Sequence, residues 1–386
     1  MKLFDVYPLL PVTIVKGKNC KLWDENGREY LDFYGGHAVI SVGHTHPDYV
    51  SAITQQIGQL GFYSNAVINR LQVELAQKLG EVSGYEDYDL FLCNSGAEAN
   101  ENALKVASFL TGKKKFITFR HSFHGRTSAA VAATDDKKII APVNETDNFI
   151  FCEFNNTAQL ESLFNEHKAE LAGVIVEGIQ GIGGINIPTQ PFISTLEKCC
   201  KENGVYFICD EVQSGYARTG KFFAHQYFGV KPDIITIAKG MGNGFPIGGV
   251  LFSPEIPAKH KMLGTTFGGN HLGCAAAIAV LDIIKKENLI AKSYESGAYL
   301  MQKLAEIPEI EEVRGKGLMV AIDFEFPASQ ISKLLREDSG ILVGSASDPK
   351  TMRLLPPLTI SREEIDFFVR ALKNALKKHA EPTVSA

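Results

Sequence analysis

Residues 233–249 read DIITIAKGMGNGFPIGG. An apolar run rich in β-branched residues, Ile234 to Ile237, leads to Lys239, and glycines stand at 240, 242 and 244. Such a run reads as a buried strand, and the glycines punctuate its end. The chain therefore sets an ammonium group at a strand terminus and strips side chains from the backbone around it. A lysine that snorkels to water explains the charge but not the glycines. A desolvated amine, its pKa drawn down from an ordinary value of about 10.4, explains both. Such an amine forms an imine with a carbonyl compound, and the glycines let backbone approach a bulky group closely.

The same texture extends outward on both sides. DLFLCNSG (89–96), KKFITF (114–119), GVIVEG (173–178) and VYFICDE (205–211) are further short apolar strands. AEANENALKVASFL (97–110) and PFISTLEKCCKENG (191–204) are helical, the latter closed by a C-cap glycine. Alternating strands and helices predict an α/β fold, an open and mainly parallel sheet with helices on both faces. Upstream, CKLWDENGREYLDF (20–33) reads as a hairpin around Glu25-Asn26-Gly27, and a helix is entered near Pro47. After residue 270 the pattern changes. Residues 271–307 form one long helical region broken once. IEEVRGKGLMVAIDFEF (310–326), ILVGSAS (341–347), MRLLPPLTI (352–360) and a closing helix (361–380) complete an α+β lobe. The tail EPTVSA (381–386) reads as frayed.

Composition narrows the function class. The 386 residues are 45% hydrophobic and 22% charged, with net charge −5, which is a globular composition sized for two lobes. No basic block exceeds Lys113–Lys115, so nucleic acid is not the expected partner. Seven cysteines without a C-x-x-C pair read as reduced thiols. No stretch resembles a signal peptide or a membrane span, so a cytoplasmic location is expected.

In open α/β sheets ligands bind beyond the carboxyl ends of the strands. Glu177, Asp210, Lys239 and Ser95-Gly96 all stand at such ends. Asp210 suits a metal, a ring nitrogen that must stay protonated, or an ordinary cap. The metal is the poorer choice, because His44-Thr45-His46 is the one close histidine pair and Pro47 marks it as a loop. NSGAEANENALK (94–105) puts Ser95 and Gly96 at a helix mouth, where an anion or a simple cap belongs. Neither G-x-x-x-x-G-K-[ST] nor G-x-G-x-x-G occurs. RHSFHGRT (120–127) offers Phe123 as ring platform or core residue, and Arg126 as carboxylate clamp or surface ion pair. Arg353 lies in an apolar run, where burial without an anion is costly. Pyridoxal 5′-phosphate asks for an amine, a carboxylate, a phosphate cradle and an aromatic platform. Lys239, Asp210, Ser95-Gly96-Ala97 and Phe123 supply them.

FLCNSGAEANENALK, SFHGRT, ICDEVQSGYARTGKFFA, DIITIAKGMGNGFPIGG and GTTFGGNHLGCAAA together resemble the class III pyridoxal-phosphate aminotransferases, over nearly the whole chain. The resemblance implies the PLP-dependent transferase fold type I. A large domain, residues 46–270, would hold a mainly parallel seven-stranded sheet. A small α+β domain, residues 271–386, would pack with the N-terminal segment 1–45. The resemblance implies further that Lys239 holds the cofactor and moves protons, and that Asp210 pairs with the ring nitrogen. Val212 would pack on the ring, Gln213 would bond its phenolic oxygen, and the amides of Gly96 and Ala97 would bind phosphate. Thr266 would reach the phosphate of a neighbouring subunit, making a homodimer with shared sites. Arg126 and Thr265 would contact substrate, and Arg353 would take the α-carboxylate of glutamate.

Within the family, GGHAVISVGHTHP (35–47) and the chain length are most similar to members that move the δ-amino group of N-acetylornithine to 2-oxoglutarate. N-succinylornithine, ornithine and 4-aminobutyrate are the alternative donors. One departure stands out. In VEGIQGIGG (176–184) Ile182 occupies a position where relatives carry a glutamate that neutralises the arginine matching Arg353. A free Arg353 favours a donor with an extra carboxylate, such as N-succinylornithine. Drift in a loop that still selects N-acetylornithine is the plainer expectation.

Overall fold

The computed structural model describes residues 1–381; the expected fraying of the tail therefore lies, beyond Glu381, outside the described residues. Three short strands lead: β1 (Ile14–Lys18), β2 (Lys21–Asp24) and β3 (Glu29–Phe33). Seven follow: β4 (Asp89–Cys93), β5 (Lys115–Phe119), β6 (Phe149–Cys152), β7 (Leu171–Glu177), β8 (Tyr206–Asp210), β9 (Ile234–Ile237) and β10 (Gly248–Phe252). Four close the set: β11 (Glu312–Lys316), β12 (Met319–Asp323), β13 (Ile341–Ser345) and β14 (Thr351–Leu354).

The middle seven strands form one sheet, ordered β4-β10-β9-β8-β7-β5-β6. Its strands run parallel except β10, which is antiparallel to both neighbours. Strands β7, β9 and β10 are buried along their whole length, because helices cover both faces and both must be apolar. Alternate residues serve the two sides. Val174, Val176 and Phe207 enter one apolar cluster, while Ile175 and Ile208 enter the other.

The second sheet, ordered β1-β2-β3-β13-β14-β12-β11, joins the first strands of the chain to the last. Its one parallel contact, β3 with β13, sets Leu31 opposite Ile341. The hairpin at Glu25-Asn26-Gly27 forms as its turn residues require. Gly27 has φ +79°, and Asp24 Oδ1 accepts the amides of Asn26 and Arg28. The closing helix Arg362–Ala380 starts on a capping box between Ser361 and Glu364 and stacks Phe368 on Phe33 at 4.1 Å.

The long helical region breaks at Asn288, whose φ of +53° ends helix His271–Lys286 and starts Leu289–Ala305. The first of these helices packs against Pro47–Ile57 and Arg70–Ser83. Strands β1, β6 and β10 and the helices Arg70–Ser83, Thr157–His167 and Ala328–Ser339 gave no distinct signal in the sequence. All seven cysteines are free. Among the described residues no helix is long and apolar enough to cross a membrane.

Candidate active site

Register builds the site. Glu177 on β7 sits opposite Asp210 on β8, and Asp210 opposite Thr236 on β9. Three polar side chains thus line up at adjacent strand ends. Helix Gly96–Thr111 crosses this row and turns Asn100 toward it. Asn100 Nδ2 donates to Asp210 Oδ2 at 2.7 Å, and Thr236 Oγ1 donates to Asn100 Oδ1 at 2.7 Å. His124, in the loop after β5, lies 2.8 Å from the same Asp210 oxygen through Nδ1. Asp210 Oδ1 accepts the amide of Val212 at 3.0 Å. The buried carboxylate therefore has three protein donors and a lone pair to spare.

Lys239 follows β9 after one residue, Ala238, and has φ +45°, a left-handed conformation that a side chain adopts at a cost. The turn is tied down from the N-terminal segment. Ser41 Oγ donates to Gly240 O, Tyr49 Oη donates to Gly242 O, and Asn243 Oδ1 accepts the amides of Ser41 and Val42. Gly242 is required here, since a Cβ would lie 2.0 Å from Phe245 O. Burial draws the Lys239 ammonium down to about 8; Asp210 and Glu177 oppose that shift, and Arg353 adds to it. Glu177 moves the other way. Burial lifts it to about 7 against the pull of His124, with Asp210 adding to the rise and hydrogen bonds from Gly181 N and Phe123 N opposing it.

At the mouth of helix Gly96–Thr111, Ser95 Oγ caps Glu98 N. The amides of Gly96 and Ala97 belong to the first turn and have no intrahelical acceptor. A Cβ on Gly96 would lie 2.6 Å from Val212 Cγ1, so the bare glycine lets the two loops meet.

These parts surround a cavity of about 410 Å³. Ser95, Gly96, Ala97, Phe123, Arg126, Asp210, Val212, Gln213 and Lys239 all line it. Three predicted residues lie outside its wall. Arg353 is buried behind it, where Nε donates to Ser345 O and Nη1 donates to Gln213 Oε1. Thr265 accepts from Gly268 N and from Asn94 Nδ2, and Asn94 is itself a wall residue. Thr266 is exposed. The roles of Asn100, Thr236 and Asn94 were not read from the sequence. Asn100 sits one helical turn beyond Gly96, which was the available signal. A separate trio, Cys209, Glu211 and His225, has metal-ligating chemistry. Its donors are engaged internally: Glu211 accepts from His225 and Ser214, and Tyr85 Oη lies 2.5 Å from His225 Nε2.

The residues fit pyridoxal phosphate on three counts. Asp210 has a lone pair for a ring N–H, and Gly96 and Ala97 have unspent amides for phosphate. Lys239 has a site that favours the neutral amine. Comparison with known proteins points the same way. Residues 5–376 match the family described as aminotransferase class-III. The chain is 41% identical to acetylornithine aminotransferase of Bacillus subtilis, covering 98% of each protein. A structure of acetylornithine aminotransferase from Elizabethkingia anophelis superposes with a TM-score of 0.83 at 30% identity, over 97% of this chain and 96% of that one. An ornithine aminotransferase from Toxoplasma gondii, described with partial occupancy of PLP at its active site, has a TM-score of 0.89 at 29% identity, over 98% and 94%. A lysine, an aspartate and a helix mouth gathered around one cavity, in a chain matched to this family almost end to end, make this protein a class-III aminotransferase that works with pyridoxal 5′-phosphate.

Proposed function

We propose that the chain transfers the δ-amino group of N-acetylornithine to 2-oxoglutarate, giving N-acetylglutamate semialdehyde and glutamate, a step of arginine biosynthesis. The observation that carries the substrate is the 41% identity with the Bacillus subtilis acetylornithine aminotransferase over nearly the full length of both chains. The electrostatics agree with it. Arg126 lines the cavity and has no hydrogen-bonded partner among the described residues, and Arg353 has only neutral ones. A dicarboxylate such as 2-oxoglutarate offers one anion to each.

When bound, pyridoxal phosphate supplies an aldehyde and a protonated ring that draws electrons from the substrate carbon. Lys239 would hold it through its amine; once displaced by the incoming substrate amine, Lys239 would take the proton from the amino-bearing substrate carbon and deliver it two atoms away, across the nitrogen, on the cofactor side. Asp210, fixed by Asn100 and His124, would keep the ring nitrogen protonated. Ser95, Gly96 and Ala97 would hold the phosphate, Phe123 and Val212 would pack on the ring, and Gln213 would bond the phenolic oxygen; all six line the cavity. Arg126 and Thr265 bind the acylated ornithine, and Arg353 takes the α-carboxylate of glutamate. The two substrates use one site in turn, so the kinetics are ping-pong.

The working unit in this reading is a homodimer, with Thr266 reaching the phosphate held in a second copy. Its support is a group of exposed apolar side chains, Leu60, Phe62, Tyr63, Ile68 and Phe267, on two segments that meet where Phe62 lies 5.3 Å from Phe267 and Asn65 Nδ2 donates to Gly268 O. A cytoplasmic location fits seven free thiols. The division into 1–45, 46–270 and 271–386 is supported by the way the strands partition between the sheets.

The test is a donor panel of N-acetylornithine, N-succinylornithine, ornithine, 4-aminobutyrate and lysine against 2-oxoglutarate. N-Acetylornithine should give the largest kcat/KM, and a larger value for ornithine, 4-aminobutyrate or lysine overturns the reading. A second reading, N-succinylornithine, is favoured by Ile182, which leaves Arg353 without a carboxylate beside it. A larger kcat/KM for that donor than for N-acetylornithine selects it.

A further inference from the structure

Arg353 is 1% exposed, yet its hydrogen-bonded partners, Ser345 O and Gln213 Oε1, are neutral. Ser347 N donates to Ile182 O at 2.8 Å, so residue 182, which carries no charge, flanks this strand end. Nη2 has no protein acceptor among the described residues. Glu177, whose charge Arg353 feels, spends its oxygens on Phe123 N and Gly181 N. A buried guanidinium held this way awaits an anion.

Beside it runs an uncommon piece of backbone. Gly35, Gly36, His37 and Ala38 have φ of 57°, 55°, 66° and 64°, a short left-handed turn. Each non-glycine residue in it costs about 1–2 kcal/mol. The turn is anchored on both sides. Asp32 Oδ1 accepts the amides of Tyr34 and Gly35, and Ala38 is buried in a cluster with Ile179, Ile185 and Leu355. What the strain delivers is the placement of His37. Its carbonyl accepts from Gln213 Nε2 at 3.3 Å, the same amide whose oxygen accepts from Arg353 at 3.1 Å. Its ring Nε2 lies 2.5 Å from Tyr34 Oη. The Tyr34 ring lies against Gly344, where a Cβ would meet its Cδ2 at 3.0 Å, and Gly344 sits opposite Arg353 in the β13–β14 register. Desolvation, then Arg353, then Lys239 push the imidazole down to about 4, so it is neutral in use. A neutral ring that accepts from Tyr34 at Nε2 carries its proton on Nδ1, which has no protein acceptor among the described residues.

We propose that His37, oriented by Tyr34, is a second and uncharged donor to the carboxylate that Arg353 takes, and that the pair selects the dicarboxylate partner, glutamate and 2-oxoglutarate. This rests on the proposed role of Arg353 as the glutamate site. N-Acetylornithine, whose one carboxylate goes to Arg126, does not use His37.

The test follows the absorbance of the bound cofactor in single-turnover half-reactions of the holoenzyme, once with glutamate and once with N-acetylornithine. His37→Leu should raise the half-saturating glutamate concentration about tenfold, the worth of one hydrogen bond to a charged group. The N-acetylornithine half-reaction should stay within about twofold, inside the ordinary scatter of a surface change. His37→Asn keeps an N–H donor and tolerates the left-handed backbone, so it should recover most of the glutamate affinity. Tyr34→Phe should shift glutamate in the same direction as His37→Leu. Equal losses in both half-reactions, or an unchanged glutamate response, would overturn the proposal. A wild-type enzyme that reacts with glutamate but with no acylated ornithine would overturn the donor assignment and leave the His37 result standing.

Discussion

Glu177 and Lys239 are pushed toward neutrality from opposite sides, to about 7 and about 8. For Glu177 the folded state holds its proton to a higher pH than the unfolded chain does. Its contribution to stability is therefore complete below about pH 4.5 and is lost as pH rises through 7. The loss is at most about 3 kcal/mol. Glu177→Gln should flatten the apoprotein's melting temperature between pH 5 and pH 7.5; an unchanged slope would show that Glu177 titrates normally. Lys239→Ala should lower kcat by about 10³-fold, the scale of a lost acid–base group, as followed by glutamate formation. The meeting of Lys239 and Asp210 on one cavity wall was legible in the sequence, because the ends of neighbouring parallel strands share one rim. Asn100 was not, because its role depends on the phase of a helix against the register of β8 and β9. Arg353 was read as a cation in need of an anion; that its protein partners are neutral came only from the packing.

The short buried strands carry the site, and their damage should be graded by position. Ile175 lies in mid-β7 with no exposed surface, so Ile175→Ala should cost about 2–5 kcal/mol in denaturant unfolding. Gly242→Ala should act differently. Its new Cβ must displace Phe245 O from 2.0 Å, which moves the turn under Lys239, so kcat should fall further than stability does. Equal unfolding midpoints and equal kcat for wild type and Gly242→Ala would refute that account. Strands β7, β8 and β9 announced themselves as apolar runs. Strand β10 did not, because GGVLF opens on two glycines of poor strand propensity. Those glycines answer to packing: a Cβ at Gly248 would meet Ser95 O at 2.7 Å. The break at Asn288 was legible in kind but not in place, since the helical pattern runs on across it.

For the molecule as a whole, the exposed face around Phe267 predicts assembly. Ile68→Asp combined with Phe267→Glu should shift the mass in light scattering from two chains to one and reduce activity with it. A wild-type protein that is monomeric at assay concentration would refute the shared site. That face was invisible in the sequence, where Ile68 and Phe267 look like any core residues. The joining of both chain ends in one sheet was legible only through the family resemblance, because no local pattern tells β3 that its partner is β13. That pairing sets Leu31 opposite Ile341, and it has a consequence for biogenesis. As the polypeptide leaves the ribosome, the first hairpin must wait through most of translation with one edge bare. The larger sheet can be finished by then, so a chaperone that shields nascent edges would act on the smaller lobe, and a stalled or truncated transcript would leave that lobe the sticky one.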